Sequence, residues 1–365
     1  MNIDFNDVHL QARTLRAELD RAVGEVLSRG VFILGPEVNA FEQEFAAYCG
    51  ARHGIGVASG LDALTLTLRA LGVGRGDEVI VPALSAAATA LAVTAVGARP
   101  AFADVSAGGF TLDPEAAASS VTSRTRAVIP VHLYGMPARS EELRALGLPL
   151  VEDAAQAHGS ASSDGRCPTA GIAAAFSFYP TKNLGAYGDG GMIVTDDRSL
   201  ANSLRLLRNY GQSGHYASEI EGVNSRLDEL QAAMLRVKLG WLDRWNERRR
   251  QIARIYRTGL QNVPVTLQQT TGTTNNHLFV IQTHERDELR SFLATKEIPT
   301  LVHYPIPLHR QKAFAAYDPN PCPNADKIAN EVLSLPIHGH METDQADFVV
   351  HCIREFFKQA SWPRR

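Results

Sequence analysis

Strand-like and helix-like segments alternate through HGIGVASGLDALTLTLRALGVGRGDEVIVPALSAAATALAVTAVGARPAFADV (residues 53–105). Four more strand-like runs follow, which are RAVIPVHLYG (126–135), LPLVEDAA (148–155), AAAFSFYP (173–180) and GGMIVTDD (190–197). Strands that are spaced by helices predict an α/β fold with a mostly parallel sheet covered on both faces. In such sheets ligands bind beyond the carboxyl ends of the strands, so we expect the chemistry there.

The second half of the chain predicts a helical region and then a smaller domain. From residue 199 to residue 260 the pattern is helical. Beyond it, HLFVIQT (277–283) and IPTLVHYP (298–305) predict strands of an α+β unit. We therefore expect a large domain over residues 1–245, which includes an N-terminal arm, and a small C-terminal domain over residues 246–365.

The composition is that of a soluble globular enzyme and argues against nucleic acid as a partner. The chain has 365 residues, of which 45% are hydrophobic and 21% charged, and its formal net charge is -3 at pH 7. Such a chain creates no global positive field that would attract a polyanion. The basic run WNERRR (245–250) lies in a helical pattern, and we expect it to be a solvated helix face.

Cysteine usage and hydropathy favour a cytoplasmic protein without a membrane span. Cys49, Cys167, Cys322 and Cys352 are scattered, without close pairing or metal-ligand spacing. The N-terminal segment is polar and lacks the apolar core of a signal peptide. Residues 79–98 carry no charge, but they divide into a strand-like run and a small-residue helix, so burial against a sheet explains them better than a bilayer does.

Two glycine clusters fail the test for a dinucleotide-binding fingerprint. Gly72, Gly74 and Gly76 precede the strand EVIVP, and a second cluster at 185–191 precedes MIVT. A dinucleotide site needs the strand first, then the glycines, then the helix whose N-terminus binds the pyrophosphate. The order in this chain therefore argues against a nicotinamide enzyme.

Two charged residues at strand ends indicate chemistry. Asp153 ends the apolar run LPLVED, so we expect its carboxylate at the rim of the sheet. It either pairs there with a protonated heterocycle nitrogen or caps a helix, and the spacing leaves both interpretations open. Lys182 follows the next strand, in a turn between aromatic residues and glycines. An aldehyde cofactor needs an amine whose pKa is lowered by desolvation or by neighbouring positive charge, and such a turn is able to provide the desolvation.

Ten ordered segments of the chain match one known pattern. They include FILGPEVNAFEQEFAAYCG (32–50), VEDAAQAHG (151–159), FSFYPTKNLGAYGDGGMIVTDD (176–197), GVNSRLDELQAA (222–233) and VHYPIPLHRQKAF (302–314). On these residues the chain resembles, over nearly its full length, the DegT–DnrJ–StrS sugar aminotransferases of the fold-type I pyridoxal-phosphate class. The resemblance implies a seven-stranded, mostly parallel sheet with flanking helices, a smaller C-terminal domain, and pyridoxal 5'-phosphate as cofactor, with pyridoxamine 5'-phosphate as the intermediate form.

The resemblance also implies which residues contact the cofactor ring. Lys182 matches the Schiff-base lysine, which moves a proton between substrate and cofactor. Asp153 matches the partner of the pyridinium nitrogen, and Gln156 matches the residue beside the phenolic oxygen. Ala86 stands where many members have an aromatic residue that stacks on the ring, which alanine cannot do. For His158 both a functional contact and a packing role stay open.

A second group of matching residues implies a phosphate site. Ser59, Gly60 and Leu61 match a loop whose amides, at the N-terminus of a helix, bind the phosphate. Leu61 stands where members often have threonine, so only its amide remains for this contact. Ser177 matches a further phosphate ligand. Asn224 matches an asparagine that reaches the phosphate of the neighbouring subunit, which implies a homodimer with composite active sites.

The remaining matches imply the substrate side of the site. They are Tyr179, His303, Tyr304 and His309, with Arg226 as the candidate for the carboxylate of the amino donor. His338 and His340 form an HxH pair without a third ligand nearby, so we expect no metal site.

The implied reaction is transamination from glutamate or glutamine to a nucleotide-linked keto sugar. A dTDP-linked 3-keto-6-deoxyhexose is the first expectation, and a UDP-linked 3-keto sugar, a 4-keto sugar or a keto-cyclitol are alternatives. A non-catalytic regulatory relative is a hypothesis from another class, and the presence of Lys182, Asp153 and Gln156 together argues against it. A sugar dehydratase of this kind would have histidine in place of Lys182.

Overall fold

The computed structural model describes residues 3–162, 170–214, 216–270, 272–317 and 320–359. Its strands are β1 (His53–Val57), β2 (Glu78–Pro82), β3 (Arg99–Ala103), β4 (Thr125–Val128), β5 (Val151–Asp153), β6 (Ala173–Ser177), β7 (Gly191–Thr195), β8 (Gln212–Gly214), β9 (Ala217–Ser218), β10 (Thr266–Leu267), β11 (Phe279–Gln282) and β12 (Val332–Leu335). Its helices are α1 (Val8–Thr14), α2 (Arg16–Arg29), α3 (Pro36–Tyr48), α4 (Gly60–Ala70), α5 (Ala87–Ala95), α6 (Pro114–Ser119), α7 (Ser140–Arg144), α8 (Arg198–Leu207), α9 (Glu229–Leu239), α10 (Leu242–Gly259), α11 (Arg286–Thr295), α12 (Pro323–Glu331) and α13 (Thr343–Gln359).

Seven strands form the central sheet in the order β3-β2-β4-β5-β6-β7-β1. Two groups of strands pair continuously, and parallel bridges between Val128 and Leu150 and between Val131 and Asp153 join them at β4 and β5. The pairs β2–β3, β2–β4 and β5–β6 are parallel, whereas β7 is antiparallel to both of its neighbours. The prediction of a seven-stranded, mostly parallel sheet is therefore confirmed.

Both faces of this sheet are buried, because side chains alternate along each strand. On β6, Ala173 and Ala175 pack into the core that contains α4, α5 and α8. Ala174 and Phe176 point the other way, into the core of α3 and α9. The uncharged stretch at 79–98 supplies β2 and α5, as predicted. No helix among the described residues is long and apolar enough to cross a bilayer.

The smaller sheet is antiparallel, in the order β10-β11-β12. The strand predicted at HLFVIQT is confirmed as β11, but the strand predicted at IPTLVHYP is wrong. That segment pairs only through a single bridge between Leu301 and Ser334, and the full neighbour of β11 is β12. Pro299 and Pro305 bracket the segment, and proline has no amide hydrogen to donate to a ladder.

Helix α10 belongs to both cores of the chain. Leu242 packs with the sheet helices, whereas Ile252 and Tyr256 pack against the smaller sheet with α11 and α13. The predicted domain boundary between residues 245 and 246 falls inside this helix and stays a prediction.

The helical prediction for residues 199–260 is wrong in part. Helix α8 ends at Leu207, and the hairpin of β8 and β9 follows before α9 begins. Tyr210 (φ 59°) and Gly211 (φ 68°) turn the chain in the left-handed region. A Cβ atom on Gly211 would lie 1.8 Å from the carbonyl oxygen of Ile220, so this turn needs glycine.

The basic run on α10 does not simply face solvent, contrary to the prediction. Trp245, Asn246 and Arg249 are buried. Arg249 Nη1 donates to the carbonyl oxygens of His277 at 3.2 Å and Ile337 at 2.9 Å. The buried side of the helix therefore includes polar residues as well as apolar ones, and backbone oxygens accept hydrogen bonds from Arg249, which no hydrophobic pattern reveals.

Three of the cysteines are buried, namely Cys49, Cys322 and Cys352. Cys167 lies outside the described residues. Within the part of the chain that the structure describes, no three His, Cys, Asp or Glu side chains cluster as a metal site would require.

Candidate functional site

The carboxyl ends of three parallel strands lead into the predicted site residues. Ser59 follows β1, Asp153 ends β5, and the segment after β6 carries Lys182. Because these strands run in the same direction, their ends meet at one edge of the sheet. The fold thus gathers residues that are more than a hundred positions apart in the chain.

Lys182 is an amine in a partly desolvated position. Its backbone amide donates to the carbonyl oxygen of Tyr179 at 2.9 Å, which closes the turn after β6. Burial lowers the pKa of Lys182 to about 8, while the nearby Asp153 carboxylate acts in the opposite direction. An amine with such a pKa is neutral in a useful fraction near physiological pH, and the neutral form is the nucleophile.

Asp153 is 6% exposed and held by two donors. Thr89 Oγ1 donates to Oδ2 at 2.8 Å, and the amide of Ala155 donates to Oδ1 at 3.2 Å. Burial raises the pKa of Asp153, although Thr89, Ala155 and the Lys182 charge partly offset that effect. The alternative that Asp153 caps a helix is not realised, because residues 154–160 form turns rather than a helix.

Gln156 links the sheet edge to the 303–304 segment. Its Oε1 accepts from the Tyr134 amide at 2.6 Å, and its Nε2 donates to Tyr304 Oη at 3.1 Å. Burial raises the pKa of Tyr304 to about 12. His303 Nδ1 lies 2.9 Å from Ser334 Oγ, and burial lowers the pKa of this histidine to about 4, so it is neutral. The structure therefore brings His303 and Tyr304 to the Asp153–Lys182 cluster.

The side chains of His309 and Tyr179 have other surroundings in this chain. His309 Nε2 pairs with Asp326 Oδ1 on α12 at 3.1 Å. Asp104, just after the edge strand β3, accepts from the amides of Asn324 and Ala325 in the first turn of the same helix. The side chain of Tyr179 is exposed.

The start of α4 has the features of an anion site. Ser59 caps the helix, its Oγ accepting from the Asp62 amide at 3.1 Å. A Cβ atom on Gly60 would lie 2.7 Å from Ser177 Cβ, so glycine allows the helix N-terminus to approach β6. The first amides of a helix, here those of Gly60 and Leu61, have no partner within it and favour a bound anion. The Leu61 side chain packs on the core.

Asn224 and Arg226 lie beside the hairpin of β8 and β9 rather than beside Lys182. Asn224 is exposed and forms a backbone bridge with Asn209. Arg226 Nη1 donates to Asn209 Oδ1 at 2.9 Å, and its guanidinium lies 5.4 Å from the ring centroid of Tyr210. Neither side chain contacts the lysine within its own chain in the residues described.

Ala86 and His158 lie near the site and differ in how deeply they are buried. Ala86 is half-buried and immediately precedes α5, the helix that carries Thr89. His158 is fully buried, with its ring centroid 5.3 Å from that of Phe176 and 5.8 Å from that of Phe178. Burial lowers the pKa of His158 to about 3, so it packs as a neutral ring.

Sequence reasoning missed the residues that hold the lysine loop, which we define as residues 178–186. Lys238 on α9 is fully buried, and its Nζ donates to the Gly185 carbonyl oxygen and lies 4.5 Å from the Tyr187 ring centroid. Burial lowers the pKa of Lys238 to about 7. Thr89 and Tyr134, which orient Asp153 and Gln156, were also missed. Their residue types carry no signal of chemistry until the fold brings them together.

The chain is similar over most of its length to proteins of one known family. The model of the DegT/DnrJ/EryC1/StrS aminotransferase family matches residues 13–354. A Streptomyces venezuelae protein named dTDP-3-amino-3,4,6-trideoxy-alpha-D-glucose transaminase is 49% identical over 363 residues, covering 97% of this chain and 96% of that protein. The erythromycin biosynthesis sensory transduction protein EryC1 of Saccharopolyspora erythraea is 48% identical, covering 97% of this chain and 99% of that protein. The crystal structure of S. venezuelae DesV in complex with a ketimine intermediate matches with a TM-score of 0.95 at 49% identity, over 98% of this chain and 99% of that chain.

Proposed function

Because the chain belongs to the DegT/DnrJ/EryC1/StrS aminotransferase family and has the fold-type I architecture, we propose that it aminates a nucleotide-linked keto sugar with pyridoxal 5'-phosphate. The observation that carries this proposal is the pair formed by Lys182 and Asp153. An amine with a lowered pKa and a buried carboxylate influence each other at the same sheet edge.

The residues present fit this cofactor. Asp153 is a carboxylate whose burial raises its pKa, and a protonated ring nitrogen beside it would stabilise its charge. Ser59, Gly60, Leu61 and Ser177 would hold the phosphate at the N-terminus of α4. When bound, the cofactor supplies an aldehyde for an amine and an electron sink for the substrate carbon.

Each residue then has a physical role in the transfer. Lys182 would hold or deliver a proton at the reacting carbon of the substrate, because a pKa of about 8 suits an acid–base group near neutral pH. Asp153, whose carboxylate is oriented by Thr89, would hold a negative charge for the ring nitrogen. Gln156 and Tyr304, a hydrogen-bonded pair, would contact the cofactor ring.

We propose a dTDP-linked 3-keto-6-deoxyhexose as the sugar substrate, with glutamate or glutamine as the donor. The name of the S. venezuelae relative, a dTDP-amino sugar transaminase, supports this choice. The name of EryC1 suggests a sensory role for that relative. In this chain, the lowered pKa of Lys182 and the buried Asp153 favour catalysis over a purely sensory role.

The test combines absorbance with product analysis. Purified protein supplied with pyridoxal phosphate should develop a near-visible absorbance band. The protein is then incubated with glutamate and a panel of dTDP- and UDP-linked 3-keto and 4-keto sugars. Mass spectrometry should show that the dTDP-linked 3-keto sugar is aminated faster than the other sugars. Absence of both the band and every aminated product would refute the proposal, and release of ammonia without a donor would indicate a dehydratase instead.

We also propose that the active unit is a homodimer in which Asn224 and Arg226 serve the partner's site. Both residues lie away from Lys182 in their own chain, beside the exposed ring of Tyr210. An exposed apolar run, Val31, Phe32 and Ile33, lies on the surface of the same chain and is suited to a subunit interface.

Subunit complementation tests the composite site. Lys182→Ala and Asn224→Ala chains should each be nearly inactive as homodimers. Co-expressed in equal amounts, they should recover roughly a quarter of wild-type activity, because half of the dimers are hybrids with one intact site of two. Activity assays on the co-purified mixture measure this recovery. A mixture no more active than the sum of its parents would contradict the proposal.

A further inference from the structure

Asn183 directly follows Lys182, and both polar atoms of its side chain are hydrogen-bonded in the protein interior. Its Nδ2 donates to Asn246 Oδ1 at 2.8 Å and to the Asn275 carbonyl oxygen at 3.2 Å. Its Oδ1 lies 3.0 Å from His277 Nδ1, and because an amide oxygen only accepts, this histidine nitrogen donates. Burial lowers the pKa of His277 well below its usual value, so the ring is neutral and its tautomer is fixed.

The two asparagines that Asn183 contacts also hold the backbone that follows Asp153. Asn246 Nδ2 donates to the His158 carbonyl oxygen at 2.9 Å. Asn275 Nδ2 donates to the Gln156 carbonyl oxygen at 2.9 Å and to that of His158 at 3.0 Å. Asn183, Asn246 and Asn275 are 2%, 1% and 0% exposed. We name these three residues the amide network, since they join the lysine loop to the segment that carries Gln156.

The far side of the amide network is fixed as well. Arg249, also on α10, donates to the carbonyl oxygens of Asn276 at 3.4 Å and His277 at 3.2 Å. Ser160 Oγ donates to the Gly135 carbonyl oxygen at 2.7 Å and accepts from the Asn275 amide at 3.1 Å. Hydrogen bonds therefore attach the amide network to a helix and to two buried turns. Because of these attachments, the network cannot move easily if the lysine loop shifts.

We propose that Asn183 is a positioning residue that, through the amide network, fixes Lys182 relative to Gln156 and keeps water away from its amine. This inference rests on the role proposed above for Lys182. A buried donor or acceptor without a partner is unfavourable, so loss of the Asn183 amide forces the loop to move or to admit water. Either change exposes the lysine.

The expected result concerns the amine in cofactor-free protein. Competitive labelling with acetic anhydride, followed by peptide mass spectrometry, measures the pKa of Lys182, and we expect a value of about 8 in the wild type. In Asn183→Ala this pKa should rise by about one unit or more, because burial is the main cause of its low value. At pH 7 the neutral fraction, and with it the rate of pyridoxal phosphate capture, should fall about tenfold, whereas capture at pH 10 should be nearly normal.

Two further variants separate positioning from general destabilisation. Asn246→Ala cuts the amide network without changing the neighbour of Lys182, and it should raise the pKa in the same direction. If Asn183→Ala does not fold, the pKa of Lys182 in Asn246→Ala tests the positioning role instead. Gln268→Ala removes another buried amide, which donates to the Gly109 carbonyl oxygen at 2.7 Å outside the network. This control should lose stability and leave the pKa of Lys182 unchanged.

The outcomes distinguish this inference from the proposed function. An unchanged pKa in the folded network variants, or an equal rise in Gln268→Ala, would overturn the positioning role. A wild-type protein that titrates as expected but develops no near-visible band with pyridoxal phosphate would refute the role of Lys182 instead.

Discussion

Lys182→Ala is expected to lower the turnover number by at least about 10⁴-fold. General acid–base catalysis alone contributes about 10²–10⁴-fold, and this residue also provides the amine for the cofactor aldehyde. The near-visible absorbance band that the wild-type protein develops with pyridoxal phosphate should be lost together with the activity. Formation of the amino sugar, followed by mass spectrometry under saturating donor and sugar, gives the measurement.

Two controls make the Lys182 result specific. Lys182→Arg keeps the positive charge, but a guanidinium stays protonated at all working pH values and should be as inactive as alanine. Lys327→Ala removes an exposed lysine on α12 and should leave turnover unchanged. Substantial activity in Lys182→Arg would show that the residue acts through its charge rather than as a neutral amine.

Asp153→Asn is expected to lower the turnover number by about 10²–10³-fold, the range seen when one preorganised electrostatic contact is removed from a transition state. The amide keeps the shape of the side chain but cannot hold a positive charge on the ring nitrogen, so the electron sink is weaker. The Michaelis constant for the sugar should change little, since Asp153 is only 6% exposed and offers the sugar little surface to contact. Steady-state kinetics with both substrates check this split.

The neighbouring carboxylate offers a matched control for Asp153. Glu152 is also buried, but successive residues of a strand point to opposite faces, and it pairs with His132 at 3.2 Å and accepts from Ser140 at 2.8 Å. Glu152→Gln should therefore lower stability toward urea while affecting turnover far less than Asp153→Asn. An equal loss of turnover in both variants would show that either change merely disturbs β5.

The central sheet could be predicted because its signals are local. β2 is buried along its whole length, and the sequence shows this directly as the apolar run VIVP that follows Glu78. The failures occur where local pattern and tertiary environment disagree. The segment around Leu301 is as apolar as a strand, but prolines at both ends limit its pairing to one bridge. The polar run of α10 was expected in solvent, yet Asn246 and Arg249 are buried because backbone oxygens accept their hydrogen bonds.

The candidate site divides in the same way. Asp153 and Lys182 were found as charged residues at strand ends, and the family resemblance supplied their roles. Thr89, Lys238 and Asn183 gave no signal, since a threonine, a lysine or an asparagine within a helix or a loop is ordinary. Thr89 matters because its hydroxyl forms a hydrogen bond of 2.8 Å with Asp153, which is 64 residues away in the chain. Asn183 likewise forms a hydrogen bond of 2.8 Å with Asn246, which is 63 residues away.

The sequence alone determined the fold class and the family and predicted Lys182 as the reactive amine, because each depends on residue types in a fixed order along the chain. Only the tertiary structure decided how that amine is desolvated, which groups hold the carboxylate beside it, and which predicted residues lie too far from it in a single chain. Desolvation and hydrogen bonding depend on distances in space, and chain order does not specify those distances for residues on different strands and helices.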